Sequence, residues 1–222
     1  MTRQSATTQA TADRDHFKSA SAARKGAGAK PAASPPVQMG EHGRYLVKSG
    51  KLAGTFVARA FPKPPTLARG LIAEASGETE QAAIEALHAL IDARESRRTE
   101  SRRHDPRTGI AVPSTEEYAE ALGQIALTRP QRAMLVALSL AGDEGLGDAR
   151  ISHAAGYKSD ASAARALATA GRAIAEFLGV KTGSTPPDGT ACLGARNDAP
   201  QDDKTAPLTL HPELRDAIRD TL

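Results

Sequence analysis

Ser162, Arg165, Thr169, Arg172 and Glu176 recur at steps of three and four, which would set them along one face of a helix. Two guanidinium groups and two hydroxyls in such a row suit phosphate oxygens and base edges, because a guanidinium is permanently charged and presents its donors as a planar fork. Lys158 and Ser159 stand just before that row. In a helix that enters a major groove, Lys158, Ser159, Ser162 and Arg165 would occupy the first turns, where base edges are met. The other side carries Ala163, Leu167, Ala170, Ile174 and Phe177 at the same spacing, an apolar stripe suited to a core. The same pattern fits a helical hairpin whose arginine side is merely solvated.

A second basic cluster lies upstream. Arg94, Arg97, Arg98, Arg102, Arg103 and Arg107 crowd a segment whose acids are Glu95, Glu100 and Asp105. Guanidinium groups at this density suit phosphate contact; the plainer reading is a solvated helix end followed by a linker.

Catalytic chemistry finds little support. The six histidines are scattered at 16, 42, 88, 104, 153 and 211, and no His/Cys set has zinc spacing. His88 and His153 read as structural. Cys192 is the single cysteine and has no neighbouring base, so neither an intramolecular disulfide nor a thiolate nucleophile is expected. Gly142, Gly145 and Gly147 are not followed by Gly-Lys-Ser/Thr, as a phosphate loop requires. Glu116, Glu117 and Glu120 suit the positive start of a helix. The expectation is a protein that is not an enzyme and needs no cofactor or metal.

Bulk properties agree with that class. Net charge is +3, aromatics are only 3% and Trp is absent. Few aromatics argue against a stacking platform for single strands, while a mild basic excess is compatible with a duplex. No apolar run approaches a membrane span, the start lacks a secretory apolar core, and one cysteine suits a reducing compartment, so a cytoplasmic protein is expected.

These side chains need elements to hold them. Residues 1–42 are Ser, Thr, Ala and Pro-rich with scattered cations, and read as a disordered basic tail. Residues 43–97 read as a β-β-β-α unit: Tyr45–Val47 and Thr55–Phe61 as a hairpin, Leu67–Ala75 as a third strand, then a helix from about Glu80 to Arg97 capped by Thr79. Its stripe is Ala83, Ile84, Leu87, Leu90 and Ile91. Residues 98–113 read as an Arg-rich linker, with a boundary at Pro106–Gly109.

Residues 114–180 read as a helical, helix-turn-helix-like domain. Ser114 with Glu117, and Thr128 with Gln131, have capping-box spacing. The helix to Ala141, apolar nearly all round through Met134, Leu135, Val136, Leu138 and Leu140, should be central and buried. Gly156-Tyr157-Lys158 is the turn, Tyr157 should anchor the helix pair, and Ser159 or Asp160 should cap the second helix. Residues 181–207 read as a flexible loop. Residues 208–222 read as a short strand and a terminal helix docking through Leu214, Ala217, Ile218 and Leu222. The fold class is therefore α+β, a small β-β-β-α domain followed by a helix-turn-helix-like bundle.

Two resemblances bear on function. Phe56-Val57-Ala58, Gly70-Leu71-Ile72 and the run Ala75 to Ile84, with Gly77, Thr79 and Ala83 in register and Glu78 for the family's Asp, resemble the small domain of HicB-type antitoxins; that family's Pro-Gly-Cys element is missing. Leu127 to Leu135, Ala154-Ala155-Gly156-Tyr157-Lys158-Ser159, Ser162-Ala163-Ala164 and Leu208 to Leu214 resemble a helical module that accompanies HNH-type restriction endonucleases, with Asp160 and Arg165 at positions where that module has other residues. No His, Asn, His nuclease cluster is present. The resemblances imply a nucleic-acid-associated accessory domain without its nuclease. The sequence expectation is a double-stranded DNA-binding regulator or antitoxin-like repressor, with residues 43–97 serving a homodimer or protein partner. The alternative is an adaptor of a phage or defence system that turns the same helices against a protein.

Overall fold

The computed structural model describes residues 37–64, 66, 68–182, 189–197 and 206–222. Most of the segment read as a tail, residues 1–36, lies outside the described residues.

Alternation of side chains builds the first layer. Strands β1 (Gln38–His42), β2 (Tyr45–Leu52), β3 (Thr55–Pro62) and β4 (Ala73–Gly77) form one antiparallel sheet in sequence order. Tyr45, Val47 and Ser49 on β2, with Ala58 and Ala60 on β3, point to one face. Against that face lies α1 (Glu80–Ser101), which buries Ala83, Leu87 and Ile91; Leu and Ile at such sites each contribute about 1.5–3 kcal/mol. The two-residue turn Ala53-Gly54 has positive φ at both positions, the geometry whose twist matches a tight hairpin. Thr79 caps α1 through the amide of Ala82 at 3.1 Å, as its position before the apolar stripe predicts.

Three readings of this half need correction. β1 lies inside the segment assigned to the tail; Gln-Met-Gly-Glu-His has almost no apolar alternation, and its order comes from pairing with β2, Gln38 opposite Ser49 and His42 opposite Tyr45. The third strand predicted over Leu67–Ala75 is instead β4 at Ala73–Gly77, with Ala68 making an isolated bridge to Ile125; Leu67 lies outside the described residues. Leu90, placed on the buried stripe, is 45% exposed.

The linker expected at 98–113 is ordered structure. α1 continues through Ser101, and β5 (Arg103–His104) pairs with β6 (Ala111–Val112). The Asp105 carboxylate accepts from the Arg107 amide and the Thr108 hydroxyl, turning the chain locally and leaving Ile110 and Val112 to enter the main core.

The helical half follows as α2 (Thr115–Gln124), α3 (Arg129–Ala141), α4 (Asp148–Ala154), α5 (Asp160–Leu178) and α6 (Pro212–Thr221). Both predicted capping boxes form, Ser114 with Glu117 and Thr128 with Gln131. Met134, Leu135 and Leu138 put α3 in the centre, but Leu140 is 76% exposed. Within the segment read as a flexible loop, Gly189–Cys192 is a 3-10 turn and β7 (Gly194–Arg196) pairs with β8 (Leu208–Leu210). Cys192 and Leu193 are fully buried there, and Tyr118 donates its hydroxyl to the Cys192 carbonyl at 2.6 Å. Residues 183–188 and 198–205 of that loop lie outside the described residues. Leu214, Ala217 and Ile218 dock α6 as expected, whereas Leu222 is exposed. Residues 37–222 form one compact unit, so the two halves share a single body. No helix among the described residues is long and apolar enough to cross a membrane.

Candidate nucleic-acid interface

Helix α4, the turn and α5 form a fixed pair. The turn is closed by the Gly156 amide on the His153 carbonyl at 3.1 Å and by the Tyr157 amide on the Ser152 carbonyl at 2.9 Å, with Gly156 at φ +72°. Buried Ser152 donates to the Asp160 carboxylate at 2.6 Å, which ties α4 to the first residue of α5. This differs from the capping expected of Ser159 or Asp160. Ser159 occupies the N-cap position without a side-chain bond, and Asp160 is spent on Ser152. Tyr157 is half-buried and packs against the main core, while His153 is exposed.

The apolar side of α5 is where its periodicity put it. Ala163, Leu167, Ala170, Ile174 and Phe177 are buried, so the polar row faces out. Lys158, Ser159, Arg165, Thr169 and Arg172 are exposed and Ser162 is half-buried. Arg165 donates to the Ser162 hydroxyl at 3.3 Å, the Thr169 hydroxyl to the Arg165 carbonyl at 2.8 Å, and Arg172 to the Thr169 hydroxyl at 3.0 Å. Among the described residues, neither Arg165 nor Arg172 has a carboxylate within ion-pair distance. The row is thus a strip of donors in which no guanidinium makes an ion pair, bounded one turn beyond Arg172 by the exposed carboxylate of Glu176.

Contacts at three places fix this helix in the body. At one flank, Gln131 Nε2 donates to the Ala166 carbonyl at 3.0 Å. At the other, the 3-10 turn presses so closely that a Cβ on Gly171 would sit 1.9 Å from the Gly189 carbonyl oxygen. At the carboxy-terminal end, Arg44 donates to the Phe177 carbonyl and Arg102 to the Leu178 carbonyl, the latter at 2.6 Å, satisfying free carbonyls at the negative end of the helix dipole. The Arg44 contact is one that no local sequence pattern announces, since its partner is 133 positions away.

The upstream arginines are placed differently from the expectation of phosphate contact. Arg94 pairs with Glu120 and donates to the Ile72 carbonyl at 3.0 Å. Arg98, its side chain 10% exposed, lies between Glu120, Glu95 and Glu117. Arg102 binds Glu117 at 2.6 Å, and Glu117 is 4% exposed. Arg103 pairs with Glu213 at 2.9 Å. Arg97 alone of the five is exposed without a carboxylate partner among the described residues, its Nε donating to the Ala93 carbonyl. Burial tends to raise the carboxyl pKa of Glu95, yet the Tyr45 phenol at 2.7 Å and the Arg44 and Arg98 guanidiniums outweigh it and hold that pKa below the ordinary value. Four of these arginines therefore join α1 and its continuation to α2, α5 and α6.

Among the described residues, no group of three or more His, Cys, Asp or Glu side chains is arranged to hold a metal ion. Burial pushes the Cys192 thiol up to about 12, leaving it protonated and unreactive at neutral pH. Comparison of the chain with family models, with curated proteins and with solved structures gives no match.

Proposed function

We propose that this is a non-enzymatic double-stranded DNA-binding protein, a regulator or antitoxin-like repressor that lays α5 against the duplex. The observation that carries this reading is the donor row on α5, in which no guanidinium makes an ion pair: Arg165 and Arg172 are exposed beside Ser162 and Thr169, while nearby arginines of α1 are neutralised by glutamates. Lys158, Ser159, Ser162 and Arg165 would meet base edges, and Thr169 and Arg172 the adjoining backbone. Arg94, Arg98, Arg102 and Arg103 leave the contact set, because their charges are already paired.

Gel-shift titration on duplex DNA at two salt concentrations tests the reading. Wild type should bind and weaken steeply with salt, and Arg165→Ala should lose roughly tenfold or more in affinity, the scale of one bidentate contact. No binding to any duplex at low salt would remove it.

A second reading, an adaptor that meets a protein partner, is favoured by the outer strand β1. Val37 and Met39 are 62% and 68% exposed beside a strand edge that no described strand covers. A homodimer or a protein partner on that edge would meet residues 37–42, just before the 43–97 segment expected to serve it, and sedimentation of wild type against Met39→Lys would reveal the self-associated form.

A further inference from the structure

A cavity of about 340 Å³ opens where the β5–β6 hairpin, the loop after α3, the β7–β8 pair and the start of α6 meet. Asp105, Arg107, Asp143, Asn197 and His211 are among the side chains that line it, and no residue of α5 does.

His211 is 4% exposed, and its two ring nitrogens are placed differently. Nε2 lies 3.0 Å from the Ala191 carbonyl, an oxygen that can only accept, so Nε2 carries the hydrogen. Burial favours the neutral ring by lowering its pKa, and in that ring Nδ1 is an acceptor. Although His211 holds the N-cap position of α6, its side chain caps no amide. No donor among the described residues reaches Nδ1, which instead faces the Asp105 carboxylate at 4.0 Å. Asp105 is an acceptor too. Burial tends to raise its pKa, but the Thr108 hydroxyl at 2.8 Å and the Arg107 amide at 3.3 Å hold it below the ordinary value, so the carboxylate is ionised at neutral pH. Two acceptors thus face each other across a gap too wide for a hydrogen bond and narrow enough for one donor atom to serve both.

A primary ammonium suits this gap, because it brings hydrogens to both acceptors and positive charge to the carboxylate. The same cavity offers a counterpart for an anion. Arg107 bonds the Arg196 carbonyl at 2.6 Å and the Asn197 side-chain oxygen at 3.0 Å, both from Nη2, and has no carboxylate within ion-pair distance among the described residues. Asp143 on the same wall is held by Arg215 at 2.6 Å, and Arg103 by Glu213 at 2.9 Å, so neither neutralises the other charges of the site. We propose that this cavity binds a small zwitterion of the α-amino-acid class, its ammonium bridging His211 Nδ1 and the Asp105 carboxylate and its carboxylate resting on the Arg107 guanidinium. α-Amino acids carry both groups on one carbon, as anchors two residues apart in a tight turn require.

Calorimetry and thermal unfolding of the full chain with each of the standard L-amino acids supply the test. At least one should bind one-to-one and raise the melting temperature, since a ligand of the folded state stabilises it. The N-acetyl and methyl ester forms of that amino acid should each bind about tenfold or more weaker, the scale of one charged hydrogen bond. Arg107→Gln should weaken the parent amino acid by about the same factor and leave the methyl ester bound as wild type binds it, and the exposure of Arg107 keeps that variant folded. Nitrogen NMR should show His211 as the Nε2–H tautomer at neutral pH, with its Nδ1 resonance moving when the amino acid is added. Three results each overturn the proposal: no binding by any amino acid, N-acetyl and ester forms that bind as well as the parent, or an imidazolium His211 at neutral pH, which would itself supply the donor that Asp105 faces.

Discussion

Two sets of arginines a few tens of residues apart in the chain have opposite fates. Those of α1 and its continuation are drawn inward: Arg98 is 10% exposed and touches three glutamates, and Arg102 shares Glu117 with it while donating to the end of α5. Those of α5 face outward and bond only to hydroxyls of their own helix. Charge density along the sequence is greater in the first set, yet of Arg94, Arg97, Arg98, Arg102 and Arg103 only Arg97 is exposed without a carboxylate partner among the described residues, whereas both arginines of the second set are. The lesson is that a guanidinium is defined by which carboxylates the fold brings to it. The capping box of α2 supplies them, for Glu117 holds the Ser114 amide with one oxygen and Arg102 and Arg98 with the other side of the group.

The contrast is broken most forcefully at Glu117. Replacing it with Ala leaves Arg102 without a carboxylate in a largely buried setting, takes one of three from Arg98 and removes the cap, and removal of one partner from a buried pair costs about 3–5 kcal/mol. Urea unfolding should show that loss for Glu117→Ala, against little change for exposed Glu116→Ala. A loss under about 1 kcal/mol, the value of a surface pair, would mean the cluster is solvated after all. Next in size is Arg44→Met, which withdraws donors from Glu95 and from the Phe177 carbonyl; hydrogen bonds to charged groups are worth about 1.5–3 kcal/mol. Because Arg44 holds the end of α5, this variant should also weaken duplex binding without touching the exposed row.

Acid should dissolve the first cluster and spare the second. Despite burial, the Tyr45 phenol and Arg44 keep the folded-state pKa of Glu95 below its ordinary 4.5; despite burial, the Arg103 hydrogen bond does the same for Glu213. A depressed carboxylate stabilises fully above its unfolded pKa, and that contribution fades as pH falls through the folded value. His211, whose pKa burial lowers, adds a loss that begins below its ordinary 6.5, as its neutral form is the one the fold prefers. The melting temperature should therefore decline slightly below about pH 6.5 and more steeply below about pH 4.5, and Glu95→Gln should flatten the steeper part. An unchanged profile in that variant would remove Glu95 from the account.

Periodicity and capping chemistry made much of this molecule readable. The stripe on α5, the two capping boxes and Thr79 are local patterns, complete within a few residues, and the chain folds as they indicate. What failed depended on distant partners. β1 is set by pairing rather than by its own residues, and the strand expected over Leu67–Ala75 lost to the register that β3 imposes on Ala73–Gly77. The supposed linker is tied down by Asp105 and by Ile110 and Val112, too few residues to announce a hairpin. At the site, α5's outward face was legible because helical geometry alone decides it. The burial of Arg94, Arg98 and Arg102 was not, because Glu117 and Glu120 read equally well as an acidic helix start.

The smallest effect on stability is the most telling for function. Arg165→Ala and Arg172→Ala remove side chains that support nothing in the fold beyond bonds to Ser162 and Thr169, so each should shift unfolding by no more than about 0.5 kcal/mol. Arg98→Ala, by contrast, should cost several times that, since it removes a largely buried guanidinium shared by Glu95, Glu117 and Glu120 and leaves Glu120 to Arg94 and Glu117 to Arg102 alone. If Arg165→Ala destabilised as much as Arg98→Ala, the outward row would be structural and the two sets would not differ in kind. If it leaves stability intact and lowers duplex affinity, the guanidinium is held ready for a charge that the chain itself withholds from it.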